Sequence, residues 1–467
     1  MGSNPTSTAS VLSSEIRWSL PGAAAGTRTQ RPAASALRAE GSGVLAPQST
    51  ALFLLLMVAF CGLLCWVAFA RQAVFRVLAA CLAFIPAMLF GVAAVNKYYD
   101  YYQTWGAVAA DLGGPGANQG PTLPTVNTAS GQNLSAILGS TINVTLAAQQ
   151  GQTFRLTVRG QTSHLTRHVY VYLPPQYFRQ AYRNYRFPAI ELINGFPGGP
   201  QDWINVVGVT AAYATLLNDR VVKPVALVMP DPNGGRRVSL QCLNVVHGPQ
   251  DATFLAVDLS QYLSSVLRLQ PPGPAWGIAG YSEGGYCAAN LALIYRLRYG
   301  YSGVLSGYFA PFKDLLGNPP RLISPFGRDT ALLRQNTPFY RLLTLPVSAR
   351  IPIFWLGVGS KDIGGVAAVR KFQQLLLARQ PGVQLHIEPG GGHTMTTWRA
   401  LMPPLLEWMT PALTGAARHP VPKRPTGPAA AARRDRALGR AAQSAGAGRL
   451  RAHDAGRPPG RVPRATG

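Results

Sequence analysis

Gly280-Tyr281-Ser282-Glu283-Gly284 places a serine between two glycines, after an apolar run and before a helical-looking stretch. Small residues on both sides permit a sharp strand-to-helix turn. Such a turn lifts the hydroxyl clear of a sheet and aims the next helix's amides at it. The hydroxyl becomes a nucleophile only if a base takes its proton, an acid orients the base and amide donors receive the oxyanion. Alone, the G-x-S-x-G pattern also fits a structural turn serine, so the rest of the chain must supply those parts.

A base follows the last apolar run. After "VQLHIEP" (383–389) stand Gly390, Gly391, Gly392 and His393, then "TMTTWRALMPPLLEWM", which reads as an amphipathic helix. A glycine run lets an imidazole reach back over the sheet edge, and histidine's ordinary pKa suits proton transfer near neutrality. His164, His168, His247 and His386 lack that setting and read as surface or packing residues. After "IPIFWLGVGS" (351–360) comes Asp362, 80 residues beyond the serine and 31 before the histidine. The order Ser, Asp, His suits an acid that fixes the imidazole tautomer, although Asp362 is also placed to cap the helix beginning "IGGVAAVRKF". Asp231, after "VALVMP", is the rival acid, and its earlier strand places it in the substrate cleft. The oxyanion needs one amide from Glu283, after the nucleophile, and one from "NGFPGGPQDW" (194–203). Pro197 has no N–H, which leaves Phe196 as the natural donor there. With four parts in order, Ser282 reads as a nucleophile.

The elements that must position these residues are legible as alternation. "QTFRLTVRG" and "HVYVYLPP" alternate like half-buried strands. Short apolar runs then recur between helical patterns: "FPAIELING", "VALVMPD", "AWGIAGYS", "SGVLSGYFA", "IPIFWLGVGS" and "VQLHIEP". Strands alternating with helices predict an α/β fold, a mostly parallel sheet covered on both faces. Sites in such sheets form at the carboxyl ends of the strands, where each candidate residue stands.

Upstream, residues 51–70 and 77–96 are two runs of twenty almost wholly apolar residues, each long enough to cross a bilayer core. They predict a transmembrane hairpin. Its connection, "RQAVFR" (71–76), carries Arg71 and Arg76 and no acid, which places it in the cytoplasm and everything after residue 97 outside. The four arginines of the N-terminal fifty residues argue the other way, but only Arg31 and Arg38 lie near the membrane. Residues 1–50 read as a disordered extension and 97–150 as a juxtamembrane segment and linker, with Gly, Pro, Asn and Thr concentrated at 113–131. A transporter is disfavoured, because the two spans offer no intramembrane charge.

The net charge of +25 suggests nucleic acid until it is located. Residues 418–467 hold 12 Lys and Arg against two Asp among Ala, Gly and Pro. That composition predicts a solvated, disordered basic tail from about 414. Attraction to anionic lipid or an envelope polymer is its second reading, whereas sequence-specific nucleic-acid binding lacks any aromatic-interleaved basic motif. Cys61, Cys65 and Cys81 fall in the apolar runs, leaving Cys242 and Cys287 in the soluble part. Two buried thiols and a disulfide both fit, the disulfide being expected if that part lies in an oxidising exterior. No Cys and His spacing suits a metal.

Several stretches, "VYVYLPPQYF", "ELINGFPGGPQDW", "GIAGYSEGGYCAANLAL", "GSKD" and "GGGHTMTTWRALMPPLLEWM", resemble the putative-esterase branch of the α/β-hydrolase superfamily across 151–413. That branch includes esterase D-like enzymes and mycolyltransferases, and membrane-anchored actinobacterial members resemble this chain upstream as well, through "VNKYYDYYQTWGAVAADLGG" (95–114). The resemblance implies a serine carboxylic-ester hydrolase or acyltransferase that acts on a lipid or cell-envelope ester and needs no metal or organic cofactor. Many relatives have His-Gly where this chain has Asn194-Gly195. The terminal extensions match nothing in the branch and also fit a misassigned start or altered frame in a GC-rich genome, with the true start near Val44 or Met57. The alternative to an enzyme is a catalytically silent hydrolase-like scaffold.

Overall fold

The computed structural model describes residues 44–111, 125–126, 143–235, 238–311, 315–316, 322–323 and 325–418. Of the extension expected over 1–50, only residues 44–50 are described. Most of the 113–131 linker and the tail from residue 419 lie outside the described residues. Residues 414–418, expected as the start of that tail, instead complete a helix in which Thr414 is buried.

The two apolar runs form helices α1 (Thr50–Phe69) and α2 (Ala73–Tyr99), both long and apolar enough to cross a membrane. At 1.5 Å per residue, α1 spans about 30 Å. Ser49 starts it by accepting the Leu52 amide at 3.2 Å. The helices lie against each other, with Ala79, Ala83, Pro86 and Ala93 of α2 buried and the Phe53 and Phe90 rings 5.2 Å apart. No residue of α1 is buried, unlike the core helix of a water-soluble domain. The connection is tighter than its composition suggests. Only residues 70–72 separate the helices, and Arg76 belongs to α2, its Nε donating back to the Ala70 carbonyl at 2.7 Å. Because α2 already begins at Ala73, residues expected in a six-residue loop have helical partners for their backbone groups.

Eight strands make the main sheet: β1 (Gln152–Arg159), β2 (Thr166–Leu173), β3 (Ala189–Ile193), β4 (Ala226–Pro230), β5 (Gly273–Tyr281), β6 (Tyr299–Leu305), β7 (Ile353–Gly359) and β8 (Gln384–Glu388). Their order is β1-β2-β4-β3-β5-β6-β7-β8. The β1–β2 and β2–β4 pairs are antiparallel and the rest parallel. Each run marked by apolar patterning has become a strand. In β1 burial alternates through Phe154, Leu156 and Val158, whereas every residue of β3 and β4 is buried. Central strands are apolar on both sides because helices cover both faces. One departure is Thr125–Val126, read as linker, which pairs parallel to Arg155–Leu156 as a short ninth strand. Backbone hydrogen bonding at an open sheet edge asks little of side chains, so composition did not mark it.

On one face, helices α4 (Glu283–Ile294) and α5 (Ile363–Leu377) and the helical segment 251–266 pack through Tyr286, Leu291, Phe372, Phe254 and Leu263. On the other, α3 (Val209–Asn218) and α6 (Met395–Arg418) pack through Tyr213, Trp398, Leu405, Leu406 and Met409. Both layers hang from strands whose carboxyl ends carry the candidate site.

Cys242 and Cys287 are joined by a disulfide, both buried. It ties the excursion after β4 to α4 and closes a loop spanning 45 residues, which by chain entropy stabilises the fold by about 4 kcal/mol. Replacing both cysteines with Ala should lower stability by about that amount in urea titrations of the detergent-solubilised chain. An unchanged midpoint would mean that other contacts hold the excursion.

Candidate active site

Ser282 sits in the turn between β5 and α4 with φ 55° and ψ −118°, a left-handed conformation that L residues rarely adopt and that costs on the order of 1–3 kcal/mol. Its amide donates to the Leu305 carbonyl at 2.9 Å, and its carbonyl accepts from Gly285 and Tyr286 at 3.0 and 3.2 Å. The turn is possible because α4 approaches the end of β3 closely. A Cβ at Gly284 would stand 2.0 Å from the Ile193 carbonyl oxygen. Beside it, the loop after β3 lays its backbone on the serine, so that a Cβ at Gly195 would meet Ser282 Cβ at 3.1 Å.

His393 reaches the serine from the loop after β8. Its Nε2 is 2.9 Å from Ser282 Oγ and its Nδ1 is 2.7 Å from Asp362 Oδ2. The imidazole is braced edge-on by Trp398, ring centroids 5.1 Å apart, and Trp398 stacks at 4.5 Å on Tyr281, the residue before the serine. Asp362, at the end of β7, spends its other oxygen on the Gly365 amide at 3.0 Å. Both readings of this residue therefore hold at once, helix cap and imidazole partner. Partial burial opposes its charge, but hydrogen bonds from His393 and the Gly365 amide outweigh that and hold its carboxyl below the usual range. Ser282, Asp362 and His393 thus form one continuous hydrogen-bonded chain across three strand ends. Asp231 takes no part in it. Its Oδ1 accepts the amides of Asn233 and Gly234 at 2.9 and 2.8 Å, closing its own turn after β4.

The sequence matches the family described as "Putative esterase" over residues 161–409. The chain belongs to that family. It is a serine-type carboxylic-ester hydrolase with the α/β-hydrolase fold. Over 350 residues this esterase is 24% identical to an uncharacterized protein of Corynebacterium glutamicum, covering 72% of this chain and 76% of that one. Among solved structures it is similar to a ferulic acid esterase, with 16% identity, a TM-score of 0.48 and coverage of 56% of this chain and 99% of that one. It is also similar to an S-formylglutathione hydrolase from Staphylococcus aureus, with 17% identity, a TM-score of 0.46 and coverage of 56% and 99%.

In this esterase Glu283 starts α4, where the first amides of a helix have no intrahelical carbonyl. Its side chain turns inward and accepts a hydrogen bond from the Ser239 hydroxyl in the disulfide-tied excursion. Burial pushes its carboxyl up to about 7, with the Ser239 bond opposing the shift. Below that pH the carboxyl at the start of α4 is neutral. Among the described residues no group of three His, Cys, Asp or Glu side chains is placed to hold a metal. The sequence reading overlooked Trp398 and Asp202. Asp202 is buried and accepts the Gly199 amide at 3.0 Å, bracing the loop that touches the serine. Both lie inside quoted motifs, so the signal was there, but only packing reveals their partners.

The raised Glu283 carboxyl has a thermodynamic consequence. Folding keeps a proton that the unfolded chain releases near pH 4.5, so stability falls as pH rises from about 4.5 to about 7. Glu283→Gln removes that titration. Between pH 5 and 8 the native chain should lose on the order of 3 kcal/mol more stability than the variant in denaturant titrations. Parallel pH profiles would show that Glu283 keeps an ordinary carboxyl.

Proposed function

We propose that the protein is a membrane-anchored serine esterase or acyltransferase working through Ser282, His393 and Asp362. The observation that carries this reading is the unbroken 2.9 and 2.7 Å contact chain from Ser282 Oγ through the imidazole to Asp362. His393 Nε2 takes the Oγ proton as Oγ attacks the ester carbonyl, and Asp362 fixes the tautomer and stabilises the imidazolium. The amides of Phe196 and Glu283 receive the oxyanion, supported by the contact of the Gly195 backbone with Ser282 and by Glu283's place at the start of α4. The imidazolium then protonates the leaving alkoxide, and water or a second hydroxyl takes the acyl group. No cofactor enters these steps. Asp231 lines the cleft as part of a self-closed turn.

Helices α1 and α2 anchor the enzyme, a reading supported by their length and by the exposure of side chains such as Leu54, Phe84 and Met88. Arg71 and Arg76 at the hairpin's closed end favour a cytoplasmic turn and an outward-facing catalytic domain. The Cys242–Cys287 disulfide fits an oxidising exterior. The substrates are lipid or envelope esters, and the basic tail adds attraction to anionic lipid or polymer on that side.

Ser282→Ala should abolish turnover of p-nitrophenyl butyrate without changing the fold or membrane attachment. Asp362→Asn should cost about 10⁴-fold in kcat, the scale seen when an orienting acid is neutralised. Wild-type turnover by Ser282→Ala would end the mechanism. A small loss at Asp362 with a large one at Asp231 would transfer the acid's role.

A further inference from the structure

The residues that directly follow the apolar hairpin are bonded to the loops holding the site, long before the chain enters β1. The end of α2 is closed by Asn96, whose side chain donates to the Tyr102 carbonyl at 2.9 Å and accepts its amide at 2.7 Å. Asp100 turns the chain with φ 54°. The Tyr101 hydroxyl then donates to Asp202 Oδ1 at 2.6 Å, and Asp202 holds the loop that lies on Ser282. Gln103 Nε2 donates to Thr396 Oγ1 at 2.8 Å, and the Thr396 hydroxyl donates to Asp100. Thr396 stands three residues after His393. Trp105 Nε1 donates to the Leu45 carbonyl at 2.6 Å, tying the chain before α1 to the chain after α2.

Both open ends of the hairpin therefore meet at the carboxyl end of the sheet, where Ser282 is. Three residues span at most about 11 Å, so Thr396, bonded to the residues just after α2, stays close to His393 and to the site. Lys97, Tyr98 and Tyr99 end that helix, and these types settle at headgroup depth. Apolar side chains stand exposed at the same end of the domain. Trp105 is 54% exposed, and Ile363, next to Asp362, is 81% exposed.

We propose that the active site opens onto the bilayer surface and takes its ester from a lipid held in the adjoining leaflet, not from a freely diffusing molecule. This rests on reading α1 and α2 as membrane spans and Ser282 as nucleophile. The lipid's acyl carbon bonds to Ser282 Oγ while its bond to the alkoxy oxygen breaks, and the Oγ proton passes through His393 to that oxygen. The freed alcohol stays with the leaflet, and water or a hydroxyl at the surface completes the cycle. The junction is bonded to both flanks of the site, so it holds the mouth at the membrane instead of letting the domain swing on a tether.

The test inserts four EAAAK repeats between Tyr99 and Asp100, a semi-rigid spacer that lifts the domain by about 30 Å and leaves the bonds of Asp100, Tyr101 and Gln103 able to form. The full chain in phosphatidylcholine–phosphatidylglycerol vesicles is assayed on soluble p-nitrophenyl butyrate and on a fluorogenic diacyl lipid in the same vesicles. The spacer should cut lipid turnover at least tenfold and leave butyrate turnover unchanged. An unchanged ratio of the two activities overturns the proposal. A native chain that hydrolyses neither ester, or that washes off the vesicles in carbonate, removes the esterase or anchoring reading on which it stands. If the spacer also lowers butyrate turnover, the native chain decides the matter by itself. A fluorophore placed on Ser282 with a fluorophosphonate should be quenched by headgroup spin-labelled lipid, and absence of quenching overturns the proposal.

Discussion

A serine held at φ 55° between a strand and a helix is the constraint around which the molecule is built. The turn needs α4 to press against the end of β3, and Gly284 is there because any side chain would strike the Ile193 carbonyl. The same approach brings the loop after β3 down onto Ser282. Everything else in the site is arranged toward that fixed point. His393 arrives from the far side of the sheet on a glycine run, braced by Trp398, and Trp398 in turn stacks on Tyr281, one residue before the serine. Helix α6, the disulfide-tied excursion and the segment after α2 each contact some part of this assembly. Rigidity here is shared among neighbours, not supplied by any one of them.

Much of this was legible in the sequence because it depends on local rules. Central strands covered on both faces are mainly apolar, so they announced themselves, and the residue just past each apolar run was the place to look for chemistry. Ser282, Asp362 and His393 were found in this way, and the structure brings the three together. Asp231 and Asp362 could not be separated by pattern, since both follow apolar runs. Only the hydrogen bonds decide that one carboxylate meets the imidazole and the other closes its own turn.

What the sequence concealed was contact between distant segments. Helix α6 was legible as an amphipathic pattern, but it runs on to Arg418 and contains Pro403, Pro404 and Pro411, which local preference disfavours in a helix of 24 residues. It forms because Leu401, Met402, Leu405, Leu406, Met409 and Leu413 all bury against the sheet. The bonds of Tyr101 to Asp202 and of Gln103 to Thr396 join residues 101 and 293 positions apart, and no periodicity signals such pairs. The Thr125–Val126 strand was hidden for a related reason, because an edge pairing is made by backbone. These distant contacts join the end of α2, the loop after β3 and the loop carrying His393 into one unit.

The central claim is that Ser282 is an activated nucleophile in the folded chain. It is tested most directly by exposing the detergent-solubilised protein to a fluorophosphonate and mapping the modified peptide by mass spectrometry. Rapid, stoichiometric labelling at Ser282 that disappears on prior denaturation is the expected result. A folded protein that remains unlabelled, or that carries the label on a different serine, would contradict it.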